Sequence, residues 1–290
     1  MQRKTVLNSP RLDEFKKKRQ KAYRNKIILF SFIILIILAG LSFASRLPKI
    51  NINEVNISGN KITDTEAMKN IVTQDLNGHY LWFFPKTNFF IYPKNKIKHD
   101  LTDNFKRLKN ISLSIKNGKT LEVTVSEYEG KYLWCGTAVP EIGDNSNQKC
   151  YFIDSDGYIF NEAPYFSGDV YFRFYGLVNL NGDDPSGNFF SPSLFSKLIL
   201  FKETLEKIGL KPVMLSISDN NDIEMYLSAS NSASVSPKII FKSDSDFTKV
   251  AENLQTAITS EDLVSDFKNK FSSLLYIDLR FGNKVYYKFK

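Results

Sequence analysis

Hydrophobic and polar positions follow several different periods along this chain, and each period predicts an element. The first feature is an uncharged run, Ile27–Ser45, which Arg46 closes. Nineteen helical residues are about 28 Å long, close to the ~30 Å hydrocarbon core of a bilayer. The run therefore predicts a single transmembrane helix at residues 27–45. A cleaved signal peptide is the alternative, because Ser42-Phe43-Ala44 resembles a cleavage site, but both the leader and the apolar run are long for one.

Residues 50 to 127 change between the period of a strand and the period of a helix. Thr63-Asp64-Thr65-Glu66 has the spacing of a helix capping box, and Asn77-Gly78 is typical of a helix end. The predicted order is strand, helix, helix, strand, strand, at Ile52–Ser58, Thr63–Leu76, Lys94–Phe105, Ile111–Ile115 and Leu121–Val125. A three-residue loop with Gly118 in the left-handed conformation would put the apolar sides of the last two strands on one face.

Residues 128 to 290 predict mostly strands, interrupted by Asn, Asp, Ser and Gly. Two segments have the helical period instead, one opening at Ser191-Pro192 and one at Asp246–Thr259. The clearest strands are Val170–Phe174, Val213–Ile217, Ile223–Leu227 and Lys238–Phe241.

The end of the chain predicts a hairpin with one apolar face. A three-residue loop at Phe281–Asn283 would place Ile277 opposite Tyr287 and Leu275 opposite Phe289. Nothing follows Lys290 in this sequence to pair with the last strand, so we expect an exposed edge. Such edges are either protected, for example by lysines, or used for strand addition by a partner.

Charge is concentrated at the N-terminus. The first 26 residues hold ten Lys or Arg against Asp13 and Glu14, which accounts for the whole formal net charge of +8. Basic residues resist translocation, so residues 1–26 are predicted to be a cytoplasmic basic tail, with the rest of the chain outside the membrane. Nucleic-acid binding is not favoured, because this charge lies on a tail beside a membrane and not on a folded face.

The two cysteines, Cys135 and Cys150, fall on the predicted outer side, where disulfides can form. A disulfide between them would close the polar loop Gly136–Lys149, and two reduced thiols are the alternative. Neither H-E-x-x-H, G-x-S-x-G, C-x-x-C nor a phosphate-binding glycine loop occurs in the sequence. We therefore expect no catalytic residue, no metal ligand and no cofactor.

Five stretches, in three parts of the chain, resemble the FtsQ/DivIB cell-division family. Val55–Asn60 is similar to the opening strand and turn of its POTRA domain. The family's closing hairpin and exit strand have similar counterparts here in Leu108–Leu113, Thr120–Glu127 and Tyr132–Trp134. Its final strands are similar to Tyr276–Val285. The chain departs from the family at Arg107-Leu108-Lys109, where Pro-Trp-Val is usual, and at Asn117-Gly118, where a proline is frequent.

The resemblance implies an α+β protein with one transmembrane helix, a POTRA domain (β-α-α-β-β) at 50–127, and a mixed, mostly antiparallel β-domain with two helices at 128–290. It implies a non-catalytic scaffold at the division septum with FtsB/DivIC-like and FtsL-like partners and no cofactor. The expected partner-binding residues are Arg280, Val285, Tyr286, Tyr287, Lys288 and Phe289. A POTRA-containing secretion or envelope assembly factor and an anchored cell-wall enzyme are the alternative functions.

The segment Tyr80–Tyr92 is unusually aromatic. It is either a loop between helices that folds over its own domain, or an exposed patch that touches a partner or the bilayer surface. The sequence leaves both interpretations open.

Overall fold

The computed structural model describes residues 10–140, 148–176, 178, 184–228, 236–260 and 271–290. Within these ranges the chain is an α+β protein with one apolar N-terminal helix, a large mixed sheet and five α-helices in all. The helices are α1 (Pro10–Ser45), α2 (Thr65–Leu76), α3 (Lys94–Asn104), α4 (Phe195–Lys207) and α5 (Phe247–Thr259). The strands are β1 (Glu54–Ser58), β2 (His79–Tyr80), β3 (Phe84–Pro85), β4 (Leu108–Lys116), β5 (Thr120–Glu127), β6 (Tyr132–Trp134), β7 (Cys150–Ile153), β8 (Ile159–Ala163), β9 (Arg173–Tyr175), β10 (Pro212–Ile217), β11 (Asp222–Leu227), β12 (Lys238–Lys242), β13 (Leu274–Phe281) and β14 (Lys284–Phe289).

Helix α1 is longer than the uncharged run, because it begins at Pro10 and includes most of the basic leader. Its segment Glu14–Ser45 is the one helix, among the described residues, that is long and apolar enough to cross a membrane. Apolar side chains are exposed along it from Phe15 to Phe43. Length, composition and exposure are therefore those expected of a single membrane-spanning helix.

The chain, α1 included, divides into two compact units. The first contains Met1–Asn104 and Asn110–Ser126, and the second contains Phe105–Lys109 and Glu127–Lys290. Each unit has its own sheet and its own buried apolar residues.

The first unit has a three-stranded sheet in the order β1-β5-β4, next to α2 and α3. Strand β1 runs parallel to β5, with Val55 opposite Leu121. The alternation predicted for β5 is confirmed, since Leu121, Val123 and Val125 are buried. The helices contribute four fully buried side chains to this unit, Met68, Val72, Ile97 and Leu101.

The left-handed conformation predicted at Gly118, between β4 and β5, is confirmed, but Asn117 shares it. Asn117 and Gly118 have positive φ, 54° and 66°, and the Lys119 N–H donates to the Lys116 carbonyl over 3.2 Å. These two residues are therefore the central positions of a β-turn, and the three residues 117–119 separate the strands, in place of the predicted loop at 116–118. Asparagine tolerates the left-handed conformation better than most residues, which explains how both positions can adopt it.

The second unit is built on a nine-stranded sheet in the order β14-β13-β12-β11-β10-β9-β6-β7-β8. Parallel and antiparallel neighbours are mixed, with β13 parallel to β12 and antiparallel to β14. Helices α4 and α5 contribute to one core with the strands. Its buried members include Phe195, Leu198, Phe201, Leu215, Ile223, Phe241, Val250, Leu254 and Ile277.

The pairing of the last two strands follows the prediction only in part. Ile277 lies opposite Tyr287, as predicted. Further along, Leu274 and not Leu275 lies opposite Phe289, because the ladder shifts by one residue. Leu274 is accordingly the buried side chain and Leu275 is only partly buried. A bulge of this kind interrupts the two-residue period on which the sequence prediction depended.

Candidate functional site

Strand β14 lies at one edge of the nine-stranded sheet and pairs with β13. No strand pairs with its other side in the part of the chain that the structure describes. The Lys290 N–H, just beyond the strand, donates to the Ser273 carbonyl over 2.8 Å. Backbone groups alternate in direction along an antiparallel strand, so residues 285, 287 and 289 direct their N–H and C=O groups away from β13. This edge can accept another strand.

The predicted partner-binding side chains of β14 differ in their exposure. Val285 and Phe289 are half-buried against the core of the second unit. Tyr286 and Tyr287 are 49% and 44% exposed, and Lys288 is exposed as well. The side chains available for contact are therefore the two tyrosines and the lysine, while the valine and the phenylalanine fix the strand to its own sheet.

Arg280, the sixth predicted binding residue, is held by two carboxylates. Its Nε and Nη2 donate to Asp278 over 2.9 and 2.6 Å, and its Nη1 donates to Asp222 over 2.8 Å. Lys242 forms an ion pair with Asp222 over 2.7 Å. The hydrogen bonds that Arg280 donates to Asp278 are the main reason that the pKa of Arg280 is raised. The sequence predicted that Arg280 contacts a partner. In the structure three of its N–H groups are already bonded to carboxylates of its own sheet.

The tip of the last hairpin is anchored to helix α5. Phe281 pairs with Lys284, so the loop consists of two residues, Gly282 and Asn283, in place of the predicted three. Gly282 has φ of 65°, a conformation that glycine adopts without strain. Its carbonyl accepts a hydrogen bond from the Asn253 side chain of α5 over 3.0 Å. This hydrogen bond fixes the loop before the edge strand to α5.

Cys135 and Cys150 form a disulfide, with an S–S distance of 2.03 Å and Cα atoms 4.1 Å apart. Cys135 follows β6 and Cys150 begins β7, and these two strands pair, with Trp134 opposite Tyr151. The disulfide continues that ladder by one step. Part of the loop it closes, residues 141–147, lies outside the described residues.

No group of three or more His, Cys, Asp or Glu side chains that could hold a metal occurs among the described residues. A cavity of about 390 Å³ in the first unit is lined by Asp75, Lys96 and Asp100, with four further residues. Lys96 lies between the two carboxylates and forms an ion pair with each. Its charge already neutralises much of theirs, so this cavity is not a clear cation site.

The aromatic segment is partly a hairpin. Strands β2 and β3 pair, and the three residues between them, Leu81, Trp82 and Phe83, are 82%, 89% and 57% exposed. Phe84 and Phe89 are only partly exposed. Each of the two sequence interpretations thus describes part of the segment: some rings lie against their own unit, and the tip projects from it.

No protein-family model matches this chain, and no curated protein matches it. Function is therefore inferred from the apolar helix, the two units and the edge strand.

Proposed function

We propose that this chain is a non-catalytic, membrane-anchored scaffold of bacterial cell division of the FtsQ/DivIB type. In this proposal α1 crosses the cytoplasmic membrane with the basic N-terminus inside, because basic residues resist translocation. The part of the first unit that follows α1 is the POTRA domain and the second unit is the β-domain, both outside the membrane at the septum. The partners are FtsB/DivIC-like and FtsL-like division proteins.

The order of elements supports the POTRA assignment. After α1 the first unit contains β1, α2, α3, β4 and β5, which is the order strand, helix, helix, strand, strand. The short hairpin of β2 and β3 is inserted between the two helices. The first strand lies beside the last one in parallel, and the last hairpin completes the sheet.

The observation that carries the proposal is the edge strand β14. It presents backbone donors and acceptors on its open side, and Tyr286 and Tyr287 are exposed beside them. Strand addition uses main-chain hydrogen bonds for affinity and alternate side chains for specificity. We propose that a segment of the FtsB/DivIC-like partner adds a strand alongside β14, with Tyr286 and Lys288 on one face of it.

The test compares two substitutions at one residue. Tyr287→Ala removes the ring and keeps the outward N–H, whereas Tyr287→Pro removes both. Binding of the extracytoplasmic segment of the FtsB/DivIC-like protein from the same organism is measured by titration calorimetry with the full chain in detergent. If strand addition is correct, the proline variant binds about tenfold or more weakly than the alanine variant, since a lost hydrogen bond leaves a buried acceptor unpaired.

Two controls make the comparison decisive. Proline is tolerated in edge strands where the N–H faces outward, so both variants should unfold at the same denaturant concentration. Val285 and Phe289 belong to the core, so a truncation after Asn283 would also weaken folding and is the poorer test. Equal affinity of the two variants would refute strand addition at β14.

A further inference from the structure

Two exposed apolar segments lie beside the C-terminal end of α1. Leu81, Trp82 and Phe83 form the tip of the hairpin between β2 and β3. Phe90 and Ile91 follow that hairpin in the sequence, and both are exposed. We call these five residues the apolar collar. Such surfaces are rare on parts of a protein that face only water.

Side-chain hydrogen bonds fix both segments of the collar to α1. The Ser42 hydroxyl donates to the Phe83 carbonyl over 3.0 Å. The Asn88 amide, two residues before Phe90, donates to the Ser45 carbonyl over 3.3 Å, and Asn51 donates to the same carbonyl over 3.0 Å. The collar is therefore held at a fixed position along the axis of α1, which we call its height.

That height is at the boundary of the uncharged run. Ser42 precedes Arg46, the first charged residue after the run, by four positions, which is about 6 Å along a helix. Since Phe83 is bonded to Ser42, the hairpin tip lies level with the last turn of the run. If α1 crosses a bilayer, the tip lies where the hydrocarbon core meets the headgroups.

The backbone of Phe83 is suited to a place with little water. The Phe83 N–H donates to the Tyr80 carbonyl over 3.0 Å, and the Phe83 carbonyl accepts from Ser42, so both of its polar groups are satisfied by the protein. Leu81 and Trp82 have φ of 47° and 67°, a strained conformation for bulky residues. Strain of this kind is typical of functional positions, and here it holds two large apolar side chains outward.

We infer that the apolar collar inserts into the outer leaflet of the bilayer that α1 crosses, and that it orients the first unit on the membrane surface. The occupant of this surface is lipid at the boundary between headgroups and acyl chains. Tryptophan favours that depth because its ring is apolar and its N–H is polar. Arg46 and Lys49, just beyond the helix, fit the phosphate groups of the same layer. The inference rests on the membrane anchor of the proposed function.

The test measures the depth of Trp82. The full chain is reconstituted into vesicles of phosphatidylcholine and phosphatidylglycerol, with and without bromine on the acyl chains. The emission of Trp82 is obtained by subtracting the Trp82→Phe protein, which retains only Trp134, a buried residue bonded to the Gly176 carbonyl. For a ring at the interface, brominated lipid should reduce the Trp82 emission about twofold.

The matched control is Trp82→Phe combined with Ile62→Trp, which moves the ring to an exposed apolar position beyond the end of β1. It should not be quenched. Quenching at both positions would indicate general adsorption and overturn the inference. Flotation of the vesicles separates the remaining outcomes. Protein that floats without quenching of Trp82 refutes the collar and leaves the anchor intact, whereas protein that does not float refutes both.

Discussion

Replacing Arg280 by methionine tests whether this residue serves the fold or a partner. Methionine keeps the apolar stem and removes the guanidinium. The side chains of Asp278 and Asp222 are only 8% and 10% exposed, and they would lose three hydrogen bonds. Breaking a buried ion pair costs about 3–5 kcal/mol. Arg280 is 30% exposed and Asp222 keeps Lys242, so we expect a smaller loss of unfolding free energy, about 2 kcal/mol.

The effect should depend on pH in a defined direction. Burial raises the pKa of Asp222, but hydrogen bonds from Lys242 and Arg280 outweigh burial and lower it. A carboxyl whose pKa is lowered by folding stabilises the protein above its unfolded value and loses that effect as the pH falls through the folded value. Without Arg280 the pKa of Asp222 rises. The deficit of the variant is therefore largest at neutral pH and narrows as the pH falls below about 4, the ordinary carboxyl value, towards the lowered pKa of Asp222.

The assay is urea unfolding of the full chain in detergent, followed by the emission of buried Trp134 in a Trp82→Phe background. Lys284→Met is the control, because Lys284 is exposed on the same hairpin and should change stability by less than about 0.5 kcal/mol. If Arg280→Met is no more destabilising than Lys284→Met at pH 7, its carboxylate contacts do not stabilise the fold and Arg280 is available to a partner after all.

Three further predictions concern α1 and the two units. Ile36→Arg, at the middle of the uncharged run, should weaken membrane retention in cell fractionation, since an arginine at the centre of a span costs about 2.5–3.5 kcal/mol; release of residues 46–290 from wild-type membranes would instead indicate signal cleavage. Replacing Cys135 and Cys150 together by alanine should lower the unfolding free energy by about 3 kcal/mol, the value for a loop of this length, and an unchanged urea midpoint would contradict it. Asn51→Ala should speed tryptic cleavage next to α1 because the Ser45 and Leu47 carbonyls each lose a hydrogen bond worth about 0.5–1.5 kcal/mol; an unchanged cleavage rate would count against this role.

Elements with a strong period and a clear cap were predictable from the sequence. Helix α5 was predicted from Asp246 to Thr259, and it is observed from Phe247 with Asp246 as its cap. The start of α2 was less accurate, because Thr63 and Asp64 both suit a cap and the structure uses Asp64, whose carboxylate accepts from the Ala67 N–H over 2.8 Å. Two adjacent capping residues differ too little in energy for the sequence to decide between them.

The environment of Arg280 was not predictable in the same way. The two-residue period shows which face of a strand a side chain occupies, but it does not show what lies across the sheet. Asp222 is 58 residues away from Arg280 in the sequence. The two side chains meet because β11 and β13 lie on either side of β12 in the sheet, so that only one strand separates them. The contacts of Ser42 with the aromatic hairpin are equally non-local. Contacts of this kind require the order of strands, which the local pattern does not contain.

The lysines of the edge strand have a role under both interpretations of β14. Lys284, Lys288 and Lys290 alternate along the hairpin's last strand and the residue after it, and all three are exposed. If a second copy of β14 paired antiparallel about Tyr287, Lys284 would lie opposite Lys290, and like charges facing each other are destabilising. A partner strand with acidic side chains at those positions would instead be favoured. The same three charges can therefore protect the edge from self-association and select a different, acidic strand, so protection and partner binding are compatible properties of this edge.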